Sequence, residues 1–200
     1  MDKYLYVSDI TVEEALNLYG PGKRVVVWTS GCSIHCKGCT NKKFWNKENG
    51  KKISLDDIAR KIDSFSNIRG LTFHGGEPSE QIEEITELIL RLGNKYDYIL
   101  FTGREIESFK NEKEIKFLKC FDVVKCGPFI LEELNLNLVF RGSNNQRIIY
   151  LSNRISPISE NGKSTVIFKI DDNCDVTLQG FPTQEHFDIV ETISLGENND

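Results

Sequence analysis

The chain has 200 residues, of which 39% are hydrophobic and 28% charged, the composition of an ordinary globular protein that fits one domain. Its 30 acidic residues outnumber 25 basic ones, and the formal net charge of −5 disfavours a nucleic-acid partner, which requires a basic surface. No apolar run approaches the roughly 18 residues of a membrane span, and the N-terminal residues lack the pattern of a secretory signal. We therefore expect a cytoplasmic protein with no membrane partner.

Strands and helices alternate along most of the chain. In chain order, the patterns predict a strand at 24–30, a helix from the cap Ser54 to Phe65, a strand at 70–74, a helix from the cap Ser79 to Leu92, a strand at 96–102, one or two helices within 105–119, a strand at 121–125 and a short strand at 147–151. Residues 129–137 have no clear pattern. This alternation indicates parallel β-α-β units and an α/β fold.

The last part of the chain has a different pattern. Residues 165–170 and 174–179 flank the polar residues 171–173, which predicts a β-hairpin. We divide the chain into a core of residues 1–154 and an extension of residues 155–200, which is part of the same domain or appended to it. The extension either covers an open edge of the sheet or binds a different substrate, and residues 197–200 are expected to be frayed.

Three of the six cysteines form a close group after the strand at 24–30. Cys32, Cys36 and Cys39 have the spacing Cys-x3-Cys-x2-Cys, which in a reducing compartment indicates a metal or redox site. Thiolates suit zinc or an iron–sulfur cluster, and both normally take four protein ligands. Either His35 or His74 completes a non-catalytic Cys3His module, or the fourth position is left for an exogenous ligand. The scattered Cys120, Cys126 and Cys174 are interpreted as small apolar side chains.

The ends of three predicted parallel strands carry the other candidate site residues. Right-handed crossovers place the carboxyl ends of such strands at one edge of the sheet, where ligands bind. The cysteine loop, the turn at 74–78 (His-Gly-Gly-Glu-Pro) and Thr102-Gly103 each follow one of these strands. We therefore expect the three segments to converge.

The residues around the cysteines resemble those of the radical S-adenosylmethionine superfamily, and in particular the activating proteins of anaerobic ribonucleotide reductase. The resemblance covers about residues 20–150 and is carried, in family order, by segments 20–24, 30–32, 36–42 with Trp45, 74–78, 101–103, 122–124, 127–129 and 141–147. Gly38 matches this branch, because many other relatives have an aromatic residue before the last cysteine. Cys126 departs from the pattern, since an acidic residue is expected before Gly127.

The resemblance implies an incomplete, open (β/α) barrel and an oxidoreductase. Cys32, Cys36 and Cys39 would hold three irons of a [4Fe-4S] cluster, and the fourth iron would bind S-adenosylmethionine. One electron would cleave the sulfonium to methionine and a 5′-deoxyadenosyl radical, which would take a hydrogen from a glycine of a large glycyl-radical enzyme. A low-potential donor such as flavodoxin or ferredoxin would supply the electron. A second hypothesis is an enzyme of the same superfamily that acts on another peptide or small molecule.

The residue types at the strand ends fit this chemistry. Gly75 and Gly76 lack side chains, so that backbone groups can approach the methionine moiety. Glu77 accepts hydrogen bonds from a ligand amine or from nearby backbone N–H groups, Thr102 contacts the ligand, and Asn41 shapes the mouth of the site. No catalytic residue is assigned beyond the cluster and the cofactor. Arg141 and Arg147 are expected to pair with a carboxylate of a ligand or of the chain itself.

Overall fold

The computed structural model describes residues 3–14, 18–159, 162, 165–173 and 175–195. Its strands are β1 Tyr4–Glu13, β2 Arg24–Thr29, β3 Lys51–Ser54, β4 Gly70–Gly75, β5 Asp97–Phe101, β6 Val123–Cys126, β7 Arg147–Tyr150, β8 Val166–Ile170 and β9 Val176–Gly180. Its helices are α1 Leu55–Asp63, α2 Ile82–Leu92, α3 Glu112–Leu118 and α4 Gln184–Leu195. None of the described helices is both long and apolar enough to cross a membrane.

Seven strands form one open sheet in the order β3-β1-β2-β4-β5-β6-β7. The four strands β2, β4, β5 and β6 run parallel, whereas β1, β3 and β7 pair antiparallel at the two sides. The predicted α/β class is confirmed, and the predicted central strands and helices agree with the observed ones within a few residues. The sheet does not close into a barrel, and the strands β1 and β3 and the helix α4 were not predicted.

The two faces of the sheet have different coverings, because successive side chains of a strand point to opposite faces. On one face, strand residues pack against α1, α2 and α3, and Phe73 of β4 shares the main core with Ile85 of α2 and Phe117 of α3. The opposite face carries aromatic and aliphatic side chains in two smaller clusters, among them Trp28 and Phe101. Because α1, α2 and α3 all lie on one side, this second face remains for the extension and the candidate site.

The C-terminal extension lies against that second face. The hairpin β8–β9 forms a sheet of its own, and the edges of the large sheet are β3 and β7. Lys169 Nζ lies 2.6 Å from Glu13 Oε1, and Ile167 packs against the cluster that contains Trp28. The predicted hairpin is therefore confirmed, but it covers a face of the sheet and does not add to its edge. Cys174 and residues 197–200 lie outside the described residues.

A buried ion pair joins the amino ends of the parallel strands, opposite the candidate site. Arg24 at the start of β2 is fully buried, and its Nη1 donates to Asp97 Oδ1 at the start of β5 over 2.5 Å. Its Nε donates to Thr72 Oγ1 over 2.9 Å, and its Nη2 donates to the Leu71 carbonyl over 2.8 Å. These contacts hold β2, β4 and β5 in register at that end.

We expect the substitution Asp97→Asn to lower the free energy of unfolding by about 3–5 kcal/mol, because it leaves the Arg24 charge buried without a counter-charge. Urea unfolding followed by circular dichroism measures the change. Asp63→Asn serves as the control, since Asp63 pairs with Lys95 at the exposed surface and should change the midpoint only slightly. Equal shifts for the two variants would show that the Arg24–Asp97 pair does not hold the strands.

Candidate active site

The cysteine loop follows β2 and is fixed to the short 3-10 helix Lys42–Phe44 by backbone hydrogen bonds. The Gly31 N–H donates to the Phe44 carbonyl over 2.9 Å, and the Cys32 N–H donates to the Trp45 carbonyl over 3.0 Å. Farther along the loop, the Cys39 N–H donates to the Cys36 carbonyl over 3.1 Å. The loop is thus a defined structure that presents Cys32, Cys36 and Cys39 as half-buried free thiols.

Burial and hydrogen bonding have opposite effects on the pKa values of two of these thiols. Burial raises the pKa of Cys32 and of Cys36, because it disfavours the charged thiolate. Backbone N–H groups of His35 and Ile34 lower the pKa of Cys32, and that of Phe129 lowers the pKa of Cys36. The Asn41 N–H donates to Cys39 Sγ over 3.3 Å. Such N–H donors stabilise sulfur ligands that carry negative charge.

The glycine-rich turn after β4 packs directly on the cysteine loop. The Gly76 N–H donates to the Thr29 carbonyl over 2.8 Å, and the Glu77 N–H donates to the Gly31 carbonyl over 2.7 Å. A Cβ on Gly76 would lie 2.3 Å from the Gly31 carbonyl oxygen, and one on Gly75, at a φ of +110°, would lie 2.6 Å from Thr29 N. From the sequence, these glycines were expected to allow the close approach of a ligand. In the structure, the chain's own backbone already requires them.

We expect Gly76→Ala to displace the cysteine loop, because the new Cβ meets a backbone carbonyl that cannot rotate away. Overpacking of this kind lowers the free energy of unfolding by about 1–3 kcal/mol. Because the cysteine loop is displaced, the amount of iron bound per chain after reconstitution should also fall. Gly93→Ala is the control: the φ of +68° at Gly93 strains any side chain and lowers stability, but a Cβ added there would have no neighbouring atom within 4 Å and should not displace the loop. If both variants bind iron equally well, the turn does not position the loop.

Glu77 joins the turn to the end of β5. Its side chain is buried, with the residue 2% exposed, and Oε1 accepts from Thr102 Oγ1 over 2.7 Å and from the Ser79 N–H over 3.0 Å. Oε2 accepts from the Gly103 N–H over 2.7 Å. Of the two predicted roles for Glu77, acceptance from nearby backbone N–H groups is thus observed. The predicted cap Ser79 is wrong, since Glu77 caps the 3-10 helix Pro78–Gln81 that precedes α2.

The three cysteines and the five residues expected to contact the cofactor or shape its site all line one cavity of about 760 Å³ at the carboxyl ends of the parallel strands. They are Cys32, Cys36, Cys39, Asn41, Gly75, Gly76, Glu77 and Thr102. The volume lies in the range of small-molecule sites. The expected convergence of the cysteine loop, the glycine-rich turn and Thr102-Gly103 is therefore observed.

The cavity also has walls that the sequence argument did not include. A row of side chains crosses the sheet, with ring centroids 4.9 Å apart for Trp28 and His74 and 4.8 Å apart for His74 and Phe101. Lys125 Nζ ends the row, 5.0 Å from the centroid of Phe101. Burial and the charge of Lys125 lower the pKa of His74 to about 3, so that this imidazole is neutral. The extension contributes residues 176–182 to the opposite wall.

The two histidines considered as a fourth ligand have other contacts. His35 is exposed and stacks on Trp45 with a centroid distance of 4.5 Å, and His74 belongs to the aromatic row. Within the described ranges, no three Cys, His, Asp or Glu side chains are grouped so as to hold one metal ion. A single ion requires its ligands to converge on one point, whereas each cysteine ligand of a [4Fe-4S] cluster binds a different iron.

Several side chains quoted in the sequence argument have structural partners away from the cysteine loop. Arg147 forms ion pairs with Glu105 and Glu107, and Arg141 Nη1 donates to the Gln146 carbonyl over 2.8 Å. The other cysteines fit the interpretation as apolar side chains where they are described: Cys126 is fully buried in the core beneath the helices, and Cys120 packs against it half-buried.

Comparison with known proteins identifies the family of the chain. The model of the 4Fe-4S single cluster domain family matches residues 18–149. An anaerobic ribonucleoside-triphosphate reductase-activating protein of Enterobacteria phage T4 is 34% identical over 136 residues, which are 64% of this chain and 85% of the relative. Proteins of the same name from Vibrio cholerae and Escherichia coli are 32% and 28% identical, over 64% and 66% of this chain and 88% and 91% of those relatives. The chain therefore belongs to the 4Fe-4S single cluster domain family and to the family of anaerobic ribonucleoside-triphosphate reductase-activating proteins.

Proposed function

We propose that the chain is a radical S-adenosylmethionine enzyme that activates an anaerobic ribonucleotide reductase by forming a glycyl radical on it. The observation that carries this proposal is the convergence of three cysteines and a glycine-rich turn in one cavity at the carboxyl ends of parallel strands. The names of the relatives support the reductase as the partner. A low-potential flavodoxin or ferredoxin would serve as the electron donor.

The residues of the cavity fit a cluster with three protein ligands. Cys32, Cys36 and Cys39 offer soft sulfur donors on a fixed loop, with backbone N–H groups directed at the sulfur atoms. They would hold the cluster and leave one of its irons without a protein ligand, open to S-adenosylmethionine. When bound and reduced, the cluster would supply the one electron that splits this sulfonium into methionine and a 5′-deoxyadenosyl radical.

The protein's own residues would orient the ligand and exclude water. The Glu77 carboxylate keeps the turn attached to the end of β5, and the Glu77 N–H holds the turn to the cysteine loop at the Gly31 carbonyl. The aromatic row of Trp28, His74 and Phe101 provides an apolar floor with no charged group at its centre. A dry floor protects a reactive carbon radical from side reactions and leaves a glycine of the partner as the hydrogen source.

We also propose that the open sheet is the incomplete (β/α) barrel of this superfamily and that residues 155–200 are an added part of the same domain. Phe181 of the extension stacks on Phe129 of the core with a centroid distance of 6.2 Å. The ion pair between Lys169 and Glu13 provides a second link between the extension and the core.

Formation of 5′-deoxyadenosine tests the proposal. The anaerobically reconstituted protein should release it from S-adenosylmethionine on reduction with dithionite. When the reductase is added, a glycyl radical should appear in the electron paramagnetic resonance spectrum. Failure of a fully iron-loaded protein to cleave S-adenosylmethionine would contradict the proposal.

A second candidate is a superfamily member that acts on another peptide or small molecule. It is favoured by the extension, because Thr177, Gln179 and Phe181 line the cavity and lie beyond residues 18–149 that the family model matches. Cleavage of S-adenosylmethionine without any radical on the reductase would support this second candidate.

A further inference from the structure

Lys125 is a buried lysine that has no assigned role in the proposed function. It is 8% exposed, and it is the only lysine among the buried residues of the described chain. It lies on β6 and faces the cavity, opposite Phe101 in the register of β5 with β6. Its ammonium contacts the face of the Phe101 ring, and no carboxylate of the described residues forms an ion pair with it. A buried ammonium with no carboxylate at ion-pair distance is costly, so further negative charge in the cavity would stabilise it.

The charges that line the cavity indicate what this partner is. The carboxylate of Glu77 is held by neutral donors only, namely the Thr102 hydroxyl and the N–H groups of Ser79 and Gly103. The pKa of Lys125 is lowered to about 8 by burial and is raised again by Glu77 and by the thiols of Cys36, Cys126 and Cys39. Two of these thiols belong to the cysteine loop. Negative charge on that loop therefore stabilises the ammonium, and the ammonium stabilises that charge in return.

A thiolate-bound cluster gains one negative charge when it is reduced. Net charge and solvent exposure are among the factors that set the reduction potential of iron–sulfur clusters. A fixed positive charge in a poorly hydrated cavity interacts more strongly than the same charge in water. It favours the more negative, reduced state over the oxidised state.

We propose that Lys125 is the buried counter-charge of the thiolate-bound cluster and raises its reduction potential. This inference rests on the proposed function, because it requires the cluster on Cys32, Cys36 and Cys39. In the redox step, the cluster takes up one electron from an external low-potential reductant, which is oxidised by one electron. No covalent bond forms or breaks, and Lys125 keeps its proton.

The test is a redox titration of the reconstituted protein without S-adenosylmethionine, followed by the electron paramagnetic resonance signal of the reduced cluster. Lys125→Met removes the charge and keeps the length of the side chain. We expect it to lower the equilibrium constant for one-electron reduction about tenfold, a shift of about 59 mV to more negative potential. Lys125→Arg keeps the charge and should stay close to the unsubstituted protein.

Lys43→Met is the matched control, since Lys43 also lines the cavity but is exposed, and its removal should leave the potential unchanged. If Lys125→Met does not load with iron, Lys125→Gln gives the same measurement with a polar neutral side chain. An unchanged potential in the neutral variants would overturn the proposal. If the neutral variants instead bind S-adenosylmethionine more weakly at an unchanged potential, Lys125 serves the cofactor carboxylate and the proposal is also overturned.

Failure of this inference can be distinguished from failure of the proposed function. If the protein loads with iron and cleaves S-adenosylmethionine, but its reduction potential is the same in the neutral Lys125 variants, the proposed function stands and only this inference is wrong. A protein that fails to assemble a cluster at all contradicts the proposed function itself.

Discussion

Replacing Cys36 with alanine is expected to abolish assembly of the iron–sulfur cluster while the fold is retained. Cys36 lies in a loop and is only half-buried, and its sulfur is one of the three proposed cluster ligands. Loss of one ligand of three leaves a site that cannot hold the cluster, so visible absorbance and formation of 5′-deoxyadenosine should fall to background. Iron analysis and far-ultraviolet circular dichroism of the same preparation separate loss of the cluster from loss of the fold.

Cys120→Ala provides the comparison for this experiment. Cys120 is also a half-buried free thiol, but it packs near the helices, and its Sγ lies 3.3 Å from the Lys116 carbonyl. It should bind iron and cleave S-adenosylmethionine as the unsubstituted protein does. A Cys36→Ala protein that retains a full complement of iron and still cleaves the cofactor would show that the ligands have been assigned wrongly.

Replacing Glu77 with alanine is expected to destabilise the fold and to weaken binding of S-adenosylmethionine together. The substitution leaves the Thr102 hydroxyl and the N–H groups of Ser79 and Gly103 without their acceptor. A buried donor without a partner costs about 1–3 kcal/mol, so the loss for this group should be at least about 3 kcal/mol. Glu77→Gln keeps one carbonyl oxygen as an acceptor, so its stability and its affinity for S-adenosylmethionine should lie between those of Glu77→Ala and the unsubstituted protein.

Unfolding in urea and equilibrium dialysis with S-adenosylmethionine measure the two effects of the Glu77 substitutions. Glu48→Ala, at an exposed position outside the cavity, is the control and should change neither quantity. If Glu77→Ala binds the cofactor weakly but unfolds at the same urea concentration as the unsubstituted protein, Glu77 acts on the ligand directly and the structural role is wrong.

The central part of the fold was predictable because its strands are short apolar runs between turns. Residues 24–30 and 70–74 form such runs, and the rule for parallel crossovers then places their carboxyl ends side by side. The strand β1 escaped prediction because it is antiparallel, only partly buried and interrupted by a register shift between Val7 and Asp9. The helix α4 shows only weak segregation of apolar from polar residues, so periodicity gives little signal there.

The candidate site could be located from the sequence, but the internal contacts of its residues could not. Spacing and strand order bring the cysteines and the glycine-rich turn to one edge of the sheet. That the Gly76 position is closed by the Gly31 carbonyl, and that Glu77 is engaged by Thr102, depends on how two loops pack. The burial of Lys125 could have been predicted, because it lies two residues after Val123 and therefore on the same face of β6. The contribution of the extension is a long-range contact with no local signature.

The most direct test is to follow a hydrogen atom from a glycine of the reductase into 5′-deoxyadenosine. The reconstituted protein is incubated under reducing, oxygen-free conditions with S-adenosylmethionine and a reductase whose glycines carry deuterium, and the 5′-deoxyadenosine is examined by mass spectrometry. We expect one deuterium atom in the released nucleoside and a glycyl radical on the reductase. Unlabelled 5′-deoxyadenosine, formed in equal amount with and without the reductase, would contradict it.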